Sequence, residues 1–359
     1  MGTLVQVRRL AVDMEADSLY HYFEKVCLLQ ISTDARTFVV DPLAVRDLAP
    51  LAKFMADPET EKVFHAAAYD VLCLRRDHGF RFTNIFDTHV AAQLLGLEQL
   101  GLGALLEGLL GVSHSKRRQR DDWSARPLRP DQLEYAATDT HYLLRLRDRL
   151  HRQLTEKGRL SWAEEEFQAV PEMEPQQRAF DPEGYRKIKG SRDLTSHQRA
   201  VLRALHMLRD RYARAMDLPP FKVMNNATLI DLARKPPLYP KELLRRPGVS
   251  TRIAARLGEE IFHTIRKARA EEPPSPAPEH ATGRPCPPEA RARLSKLKAW
   301  RRARAHELGL HIGVVFPGNL LEIMAARPPA DLNEMAATNG MRNWRVREFG
   351  EEVLRAMAS

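Results

Sequence analysis

The amino-acid sequence predicts an α/β domain followed by two small all-helical domains. Residues 1–155 alternate short apolar runs with stretches of helical composition, an order typical of α/β proteins. Beyond residue 191 apolar residues recur at helical spacing, as in Val201, Leu202, Leu205 and Leu208. A proline-rich linker, 271–288, divides this helical part. The predicted domains are therefore 1–155, 191–270 and 289–359, with a polar connector over 156–190.

Five short strands are expected in the first domain. LAVDME (10–15), KVCLLQIS (25–32) and TFVVDP (37–42) follow one another closely, which favours antiparallel hairpins. KVFH (62–65) and NIFDT (84–88) are the fourth and fifth strands. Between and after them, composition and breakers predict helices over 43–57, 66–78, 89–96, 102–110 and 130–153.

The two helical blocks repeat each other. LIDLARKPP (229–237) matches LLEIMAARPP (320–329), and LGEEIFHTI (257–265) matches FGEEVLRAM (349–357). A third pair, RYARAMDLP (211–219) and ARAHELGLH (303–311), keeps the same order. Ordered self-similarity of this kind predicts two copies of one helical module.

Charge is unevenly placed along the chain, whose formal net charge is +9. Residues 1–150 hold 19 basic and 21 acidic residues, whereas the remainder holds 37 and 26. The asymmetry suits a cation-binding site joined to a module that holds a polyanion. A basic surface without a specific partner is the alternative.

The cysteines and the apolar runs bear on location. Three widely spaced cysteines predict neither a disulfide framework nor a zinc site, which indicates a reducing cytoplasm. No apolar run approaches the ~18 residues that span a membrane. Arg8, Arg9 and Asp13 stand where a signal peptide would need its apolar core.

Acidic residues at the ends of several elements are candidates for a metal site. Asp13 and Glu15 lie two apart on a strand and therefore share a face. Asp70 follows the fourth strand, early in a helix, and Tyr135 and Asp139 lie one helical turn apart. Taken singly, each has an ordinary explanation: solvated surface, a helix-dipole partner, or a tyrosine at the edge of the core.

Taken together, these residues resemble the DEDD exonuclease superfamily in its tyrosine-bearing branch, and within it ribonuclease D and its relatives. KVFHAAAYDVLCLRRDHGF, NIFDTHVAAQLLG, GVSHSKRRQRDDWSARPL and LEYAATDTHYLLRLRDRL resemble segments of that family in their usual order. The helical repeats resemble the HRDC module (helicase and RNase D C-terminal). The resemblance implies a ribonuclease H-like exonuclease domain with a mixed sheet, followed by two HRDC domains.

The resemblance also implies a mechanism. The family's metal ligands fall on Asp13, Glu15, Asp70 and Asp139, and Tyr135 takes the place of the residue that orients the attacking water. Two divalent ions, Mg²⁺ or Mn²⁺, would serve as cofactors. The implied activity is 3′→5′ exoribonuclease trimming that releases nucleoside 5′-monophosphates. The implied partner is RNA with a free 3′ end, and tRNA precursors are the leading candidate substrates. We expect a cytoplasmic monomer that does not bind a membrane and needs no small-molecule cofactor.

Two other functions stay open at this point. The same carboxylates would serve a 3′→5′ exodeoxyribonuclease, since nothing in the first domain visibly reads a 2′-hydroxyl. A catalytically idle RNA-binding adaptor is the other, because this sequence reaches Asp13 sooner than the family usually does. His65 and the basic run Lys116, Arg117, Arg118 and Arg120 are candidate nucleic-acid contacts, the run because phosphate contacts supply affinity without sequence choice.

Overall fold

A computed structural model describes residues 7–45, 47–114, 117–174, 180–271 and 287–358. The chain forms two compact units. The first unit comprises Met1–Ala16, Val26–Pro175 and Pro285–Ser359, and the second comprises Asp17–Lys25 and Gln176–Arg284. Most of the predicted proline-rich linker lies outside the described residues.

A five-stranded mixed sheet forms the centre of the first unit. Its spatial order is β3-β2-β1-β4-β5, which places β1 in the middle. β1 pairs antiparallel with β2 and parallel with β4, β2 pairs antiparallel with β3, and β4 pairs parallel with β5. The mixed sheet and its antiparallel hairpins are confirmed. The strands are β1 (Arg9–Ala16), β2 (Val26–Ser32), β3 (Thr37–Val40), β4 (Glu61–Phe64) and β5 (Ile85–Asp87).

Seven helices of the first unit lie between and after these strands. They are α1 (Ala49–Ala56), α2 (Ala68–His78), α3 (Thr88–Leu95), α4 (Leu102–Leu110), α5 (Pro130–His141), α6 (Leu143–Glu156) and α7 (Leu160–Ala169). α7 falls within the segment expected to be a connector, and its Trp162, Ala163 and Phe167 are buried.

Two helix predictions were wrong in their bounds. The helix expected over 43–57 begins only at Ala49, because Pro50 fits the first turn of a helix and not its interior. The helix expected over 130–153 is two helices, broken at Tyr142, whose backbone has φ −101° and ψ −3°. No proline or glycine marks this break.

The second helical block belongs to the same unit as the sheet. Its helices are α12 (Pro288–Leu308), α13 (Ile312–Val315), α14 (Gly318–Ala326), α15 (Leu332–Ala336) and α16 (Asn343–Ala358). Trp344 of α16 stacks on Trp162 of α7, with ring centroids 4.6 Å apart and an interplanar angle of 13°. One apolar cluster runs from Ala11 and Val63 of the sheet through α3, α6 and α7 to this block.

The second unit contains the first helical block. Its α-helices are α8 (Ser196–Ala215), α9 (Pro220–Val223), α10 (Asn226–Arg234) and α11 (Thr251–Ala270), with 3-10 helices at Gly184–Lys187 and Pro240–Arg245. The segment Asp17–Lys25 is anchored here because Asp217 accepts hydrogen bonds from the backbone N–H groups of Tyr22 and Phe23, at 3.0 and 3.1 Å. Among the described helices of the whole chain, none is long and apolar enough to cross a membrane.

Candidate active site

β1 presents two carboxylates on one face at its C-terminal end. Asp13 and Glu15 alternate with Met14, which is buried in the core. Their antiparallel neighbours on β2 are Gln30 and Leu28. Because β1 is the central strand, both carboxylates lie over the middle of the sheet.

α5 brings the third carboxylate to this face. Asp139 and Tyr135 lie one turn apart on α5, which contacts β1, β2 and β3. A buried hydrogen bond of 2.7 Å between the hydroxyls of Ser32 and Thr140 ties the helix to β2 next to Asp139. Carboxylate oxygens of Asp13, Glu15 and Asp139 lie within 4.8 Å of one another.

Asp70 approaches from the first turn of α2. This turn is held by Asp87, which accepts hydrogen bonds from the backbone N–H groups of Ala66 and Ala67 at 2.9 and 2.8 Å. The same carboxylate caps α3 through His89 and Val90. Asp70 is buried, and its Oδ2 has no hydrogen-bond partner among the residues that the structure describes.

The acidic side chains perturb one another. Burial, and then the charge of Asp139, raises the pKa of Asp13, while burial and the charges of Asp13 and Asp139 raise the pKa of Glu15. Burial followed by the charge of Asp13 raises the pKa of Asp70 well above its usual range. Burial also raises the pKa of Asp139, against a hydrogen bond from His114 that lowers it. Such a cluster is unfavourable in its ionised form unless cations neutralise it.

These side chains line one cleft of about 310 Å³, which also includes His65, His114 and Gln119. The structure thus brings together all five residues proposed for catalysis: Asp13, Glu15, Asp70, Tyr135 and Asp139. The donor set fits divalent metal ions, since it consists of crowded carboxylates, the ligands that Mg²⁺ and Mn²⁺ prefer. The unpartnered buried oxygen of Asp70 supports the same conclusion.

Tyr135 contacts two aromatic rings. His114 stacks on it, with centroids 5.5 Å apart and planes at 27°, and the Trp123 ring centroid lies 6.1 Å away at 32°. Trp123 is buried and packs as an anchor rather than as an exposed base-stacking platform. His114 carries no signal in the sequence, because no motif connects it with Asp139, which lies 25 positions further on.

The secondary candidates lie in two places. His65 lines the cleft, and its Nδ1 lies 2.9 Å from the hydroxyl of Thr88. Lys116 lies outside the described residues. Arg117 and Arg120 are exposed, and Arg118 forms ion pairs with Asp121 and Asp131. Gln119, within this basic run, lines the cleft, so the run borders the proposed catalytic residues.

Comparison with known proteins identifies the domains. A family described as 3′-5′ exonuclease matches residues 3–155, and the HRDC domain matches twice, at 198–265 and 290–357. The chain is 31% identical to ribonuclease D of Pseudomonas paraeruginosa, over 98% of this chain and 92% of that protein. It is also 31% identical to ribonuclease D of Gluconacetobacter diazotrophicus, over 98% and 89%.

Solved structures agree with this fold. The catalytic core of RRP6 from Trypanosoma brucei superimposes with a TM-score of 0.68 at 31% identity, covering 75% of this chain and 76% of that one. Escherichia coli RNase D, at 23% identity, shares the fold with a TM-score of 0.70 over 99% and 95% of the two chains. The exonuclease match, the two HRDC matches and the near full-length identity lead to one conclusion: this chain belongs to the ribonuclease D family.

Proposed function

We propose that this chain shortens RNA from its 3′ end at the cleft formed by β1, α2 and α5, with tRNA precursors as its substrates. As a ribonuclease D family member with a 3′-5′ exonuclease domain, the chain is a 3′-5′ exoribonuclease. The observation that supports this site is the approach of Asp13, Glu15 and Asp139 to within 4.8 Å in a cleft that also holds Asp70.

The four carboxylates are proposed to hold two divalent metal ions, Mg²⁺ or Mn²⁺. When bound, such ions activate water for attack on phosphorus and stabilise the leaving 3′ oxygen. Asp13 and Glu15 are supplied by the central strand, and Asp139 and Asp70 by helices fixed through Thr140 and Asp87. The rigid elements hold the ligands ready for metal, which lowers the cost of assembling the site.

Tyr135 is proposed to orient the attacking water. Burial, and then the negative charge of Asp139, raises the pKa of its phenol above the ordinary value. The hydroxyl therefore keeps its proton at neutral pH and acts as a hydrogen-bonding group, not as a full base. Contacts with the rings of His114 and Trp123 restrict the phenol ring.

The first helical block is proposed to grip structured RNA. Arg214 and Lys222 are exposed on the second unit, with the Lys222 Nζ 3.9 Å from the ring centroid of Tyr20. Arg209, by contrast, is buried and donates to the Met224 carbonyl at 3.1 Å, so it serves packing. We further propose a cytoplasmic location, in keeping with three widely spaced cysteines, and a monomeric state.

Digestion of a 5′-labelled RNA with an unstructured 3′ tail, beside DNA of the same sequence, tests the function. The expected result is a ladder shortening from the 3′ end of RNA that needs Mg²⁺ or Mn²⁺. Shortening of DNA alone would make the chain an exodeoxyribonuclease. RNA binding without shortening of either substrate would favour an adaptor.

A tRNA precursor with a 3′ trailer tests the substrate separately. We expect the trailer to be removed faster than an equally long tail on an unrelated hairpin, since the helical modules would hold the structured body. Equal rates would contradict the tRNA assignment while leaving the exoribonuclease activity intact.

A further inference from the structure

We propose that His114 is a positioning residue that holds both Asp139 and Tyr135 in place for metal binding and attack. The inference rests on the proposed metal site, since it concerns how one of its ligands is oriented. It assigns His114 no contact with the substrate.

The first observation is the contact with Asp139. The His114 Nε2 lies 2.8 Å from the Asp139 Oδ1, and the two side chains are only 5% and 8% exposed. The carboxylate of an aspartate rotates easily about its terminal bond. A hydrogen bond to Oδ1 restricts that rotation and so fixes the direction in which Oδ2 points. Partners of metal ligands fix ligand orientation, and their loss typically costs 10–100-fold in metal affinity.

The second observation is the stack on Tyr135. The imidazole stacks on the phenol ring at 27°, and the Trp123 ring lies 6.1 Å from the same phenol, so that the tyrosine contacts two aromatic side chains. Because Tyr135 and Asp139 are one turn apart on α5, a single imidazole reaches both. The hydrogen bond and the stack therefore position the ligand and the water-orienting hydroxyl together.

The third observation is how His114 itself packs against α4. Gly103 of α4 is buried, and a Cβ there would lie 3.2 Å from the His114 carbonyl oxygen and 3.7 Å from its imidazole Cδ2. Glycine at this position allows the His114 backbone to approach α4 closely. This close packing against α4 helps to direct the His114 side chain.

Two substitutions separate the hydrogen bond from the stack. His114→Phe keeps an aromatic ring and removes the nitrogen, whereas His114→Gln places an amide N–H where Nε2 lies and removes the ring. His141→Gln is the matched control, because His141 is an exposed histidine at the end of α5, the helix that carries Tyr135 and Asp139.

The decisive measurement is Mn²⁺ binding to the full chain by calorimetry, without RNA. We expect His114→Phe to weaken Mn²⁺ binding by about 10–100-fold, His114→Gln to recover most of the affinity, and His141→Gln to bind like the wild type. In RNA digestion at saturating Mn²⁺, His114→Gln should lower kcat without raising KM, because Tyr135 loses one of its two supports.

If His114→Phe binds Mn²⁺ as the wild type does while Asp139→Asn binds it more weakly, the role of His114 is wrong but the metal site is supported. Wild-type affinity in Asp139→Asn would instead overturn the metal site itself. If His114→Phe fails to fold, His114→Gln and Gly103→Ala carry the test. An unchanged kcat in His114→Gln together with unchanged affinity in Gly103→Ala would then contradict the proposal.

Discussion

At Asp13, the stability of the metal-free fold and the proposed metal binding favour different side chains. Burial and the charge of Asp139 raise its pKa, so its ionised form destabilises the metal-free fold. Sites built for function often carry such unfavourable arrangements. In the proposed metal site, the same charge would attract a divalent cation.

Asp13→Asn should therefore abolish activity and stabilise the metal-free protein. We expect nuclease activity to fall at least about 100-fold, and the free energy of unfolding in chelator to rise by about 1–3 kcal/mol, since one unit of pKa shift corresponds to about 1.4 kcal/mol. Urea unfolding in EDTA and in Mn²⁺ measures the stability of each protein without and with metal. Mn²⁺ should stabilise the wild type and not the variant, and a loss of stability in EDTA would contradict this explanation.

Lys62 makes the free energy of unfolding vary with pH in the alkaline range. Its side chain is buried on β4, and Nζ donates to the carbonyls of Asp57 and Thr60 at 2.6 and 2.5 Å. Burial lowers its pKa from 10.5 to about 8, although the charges of Asp57 and Glu61 act to raise it. Between pH 8 and 10.5 the unfolded chain thus binds more protons than the folded one, so this group adds stability as pH rises.

Lys62→Met removes that titration. The wild type should gain stability relative to the variant as pH rises from 8 to 10.5, and the difference should stay constant between pH 6 and 7.5. Urea unfolding of both proteins across this range provides the measurement. A difference that does not vary with pH would show that Lys62 keeps its ordinary pKa.

At the scale of elements, Asp87 binds the N-terminal ends of two helices, α2 and α3. One buried carboxylate accepts from the N–H groups of Ala66 and Ala67 before α2 and of His89 and Val90 in α3. Ala66 has φ +62°, a conformation that this hydrogen bonding helps to hold. The position of Asp70 in the cleft depends on that turn.

Asp87→Ala should lower both stability and turnover. Loss of a helix cap costs about 0.5–2 kcal/mol, and the unpartnered buried N–H groups add to this cost. Asn225→Ala is the matched control, since Asn225 caps α10 of the second unit by accepting from Thr228 N–H at 2.8 Å. Unfolding measurements should show destabilisation of both variants, larger for Asp87→Ala, and RNA digestion should show reduced kcat for Asp87→Ala alone. Equal kcat in the two variants would show that Asp87 does not position the catalytic cleft.

Strand and helix periods explain how far sequence reasoning reached. Asp13 and Glu15 could be placed on one face because strands alternate with period two, and Tyr135 and Asp139 because helices return every turn. All five strands were located from short apolar runs. The break at Tyr142 could not be predicted, because no residue there disfavours a helix. His114 was missed because its contact with Asp139 comes from tertiary packing.

At the scale of the molecule, the second helical block is joined to the nuclease domain. Trp344 is fully buried, stacks on Trp162, and donates from Nε1 to Glu166 at 3.0 Å. Arg345 pairs with the same carboxylate at 2.6 Å. The sequence pattern predicted this block as a separate domain. Contacts between residues nearly 180 positions apart leave no local signal in the sequence, so the joint core could not be predicted.

Trp344→Ala should destabilise the whole first unit. Removing a large buried aromatic side chain costs about 3–5 kcal/mol, whereas Arg347→Ala, which removes an ion pair of an exposed arginine with Glu165, should cost at most about 1 kcal/mol. Denaturant unfolding followed by circular dichroism, with RNA digestion at each point, measures both. Unfolding of the helical block while activity persists would contradict a shared folding unit.

The most direct test of the account compares two acids on α5. Asp139 faces the cleft, and Glu134 is exposed on the same helix. With 5′-labelled RNA in Mn²⁺, Asp139→Asn should stop shortening from the 3′ end, and Glu134→Gln should digest RNA as the wild type does. Wild-type shortening by Asp139→Asn would show that the carboxylate cluster is not the catalytic site.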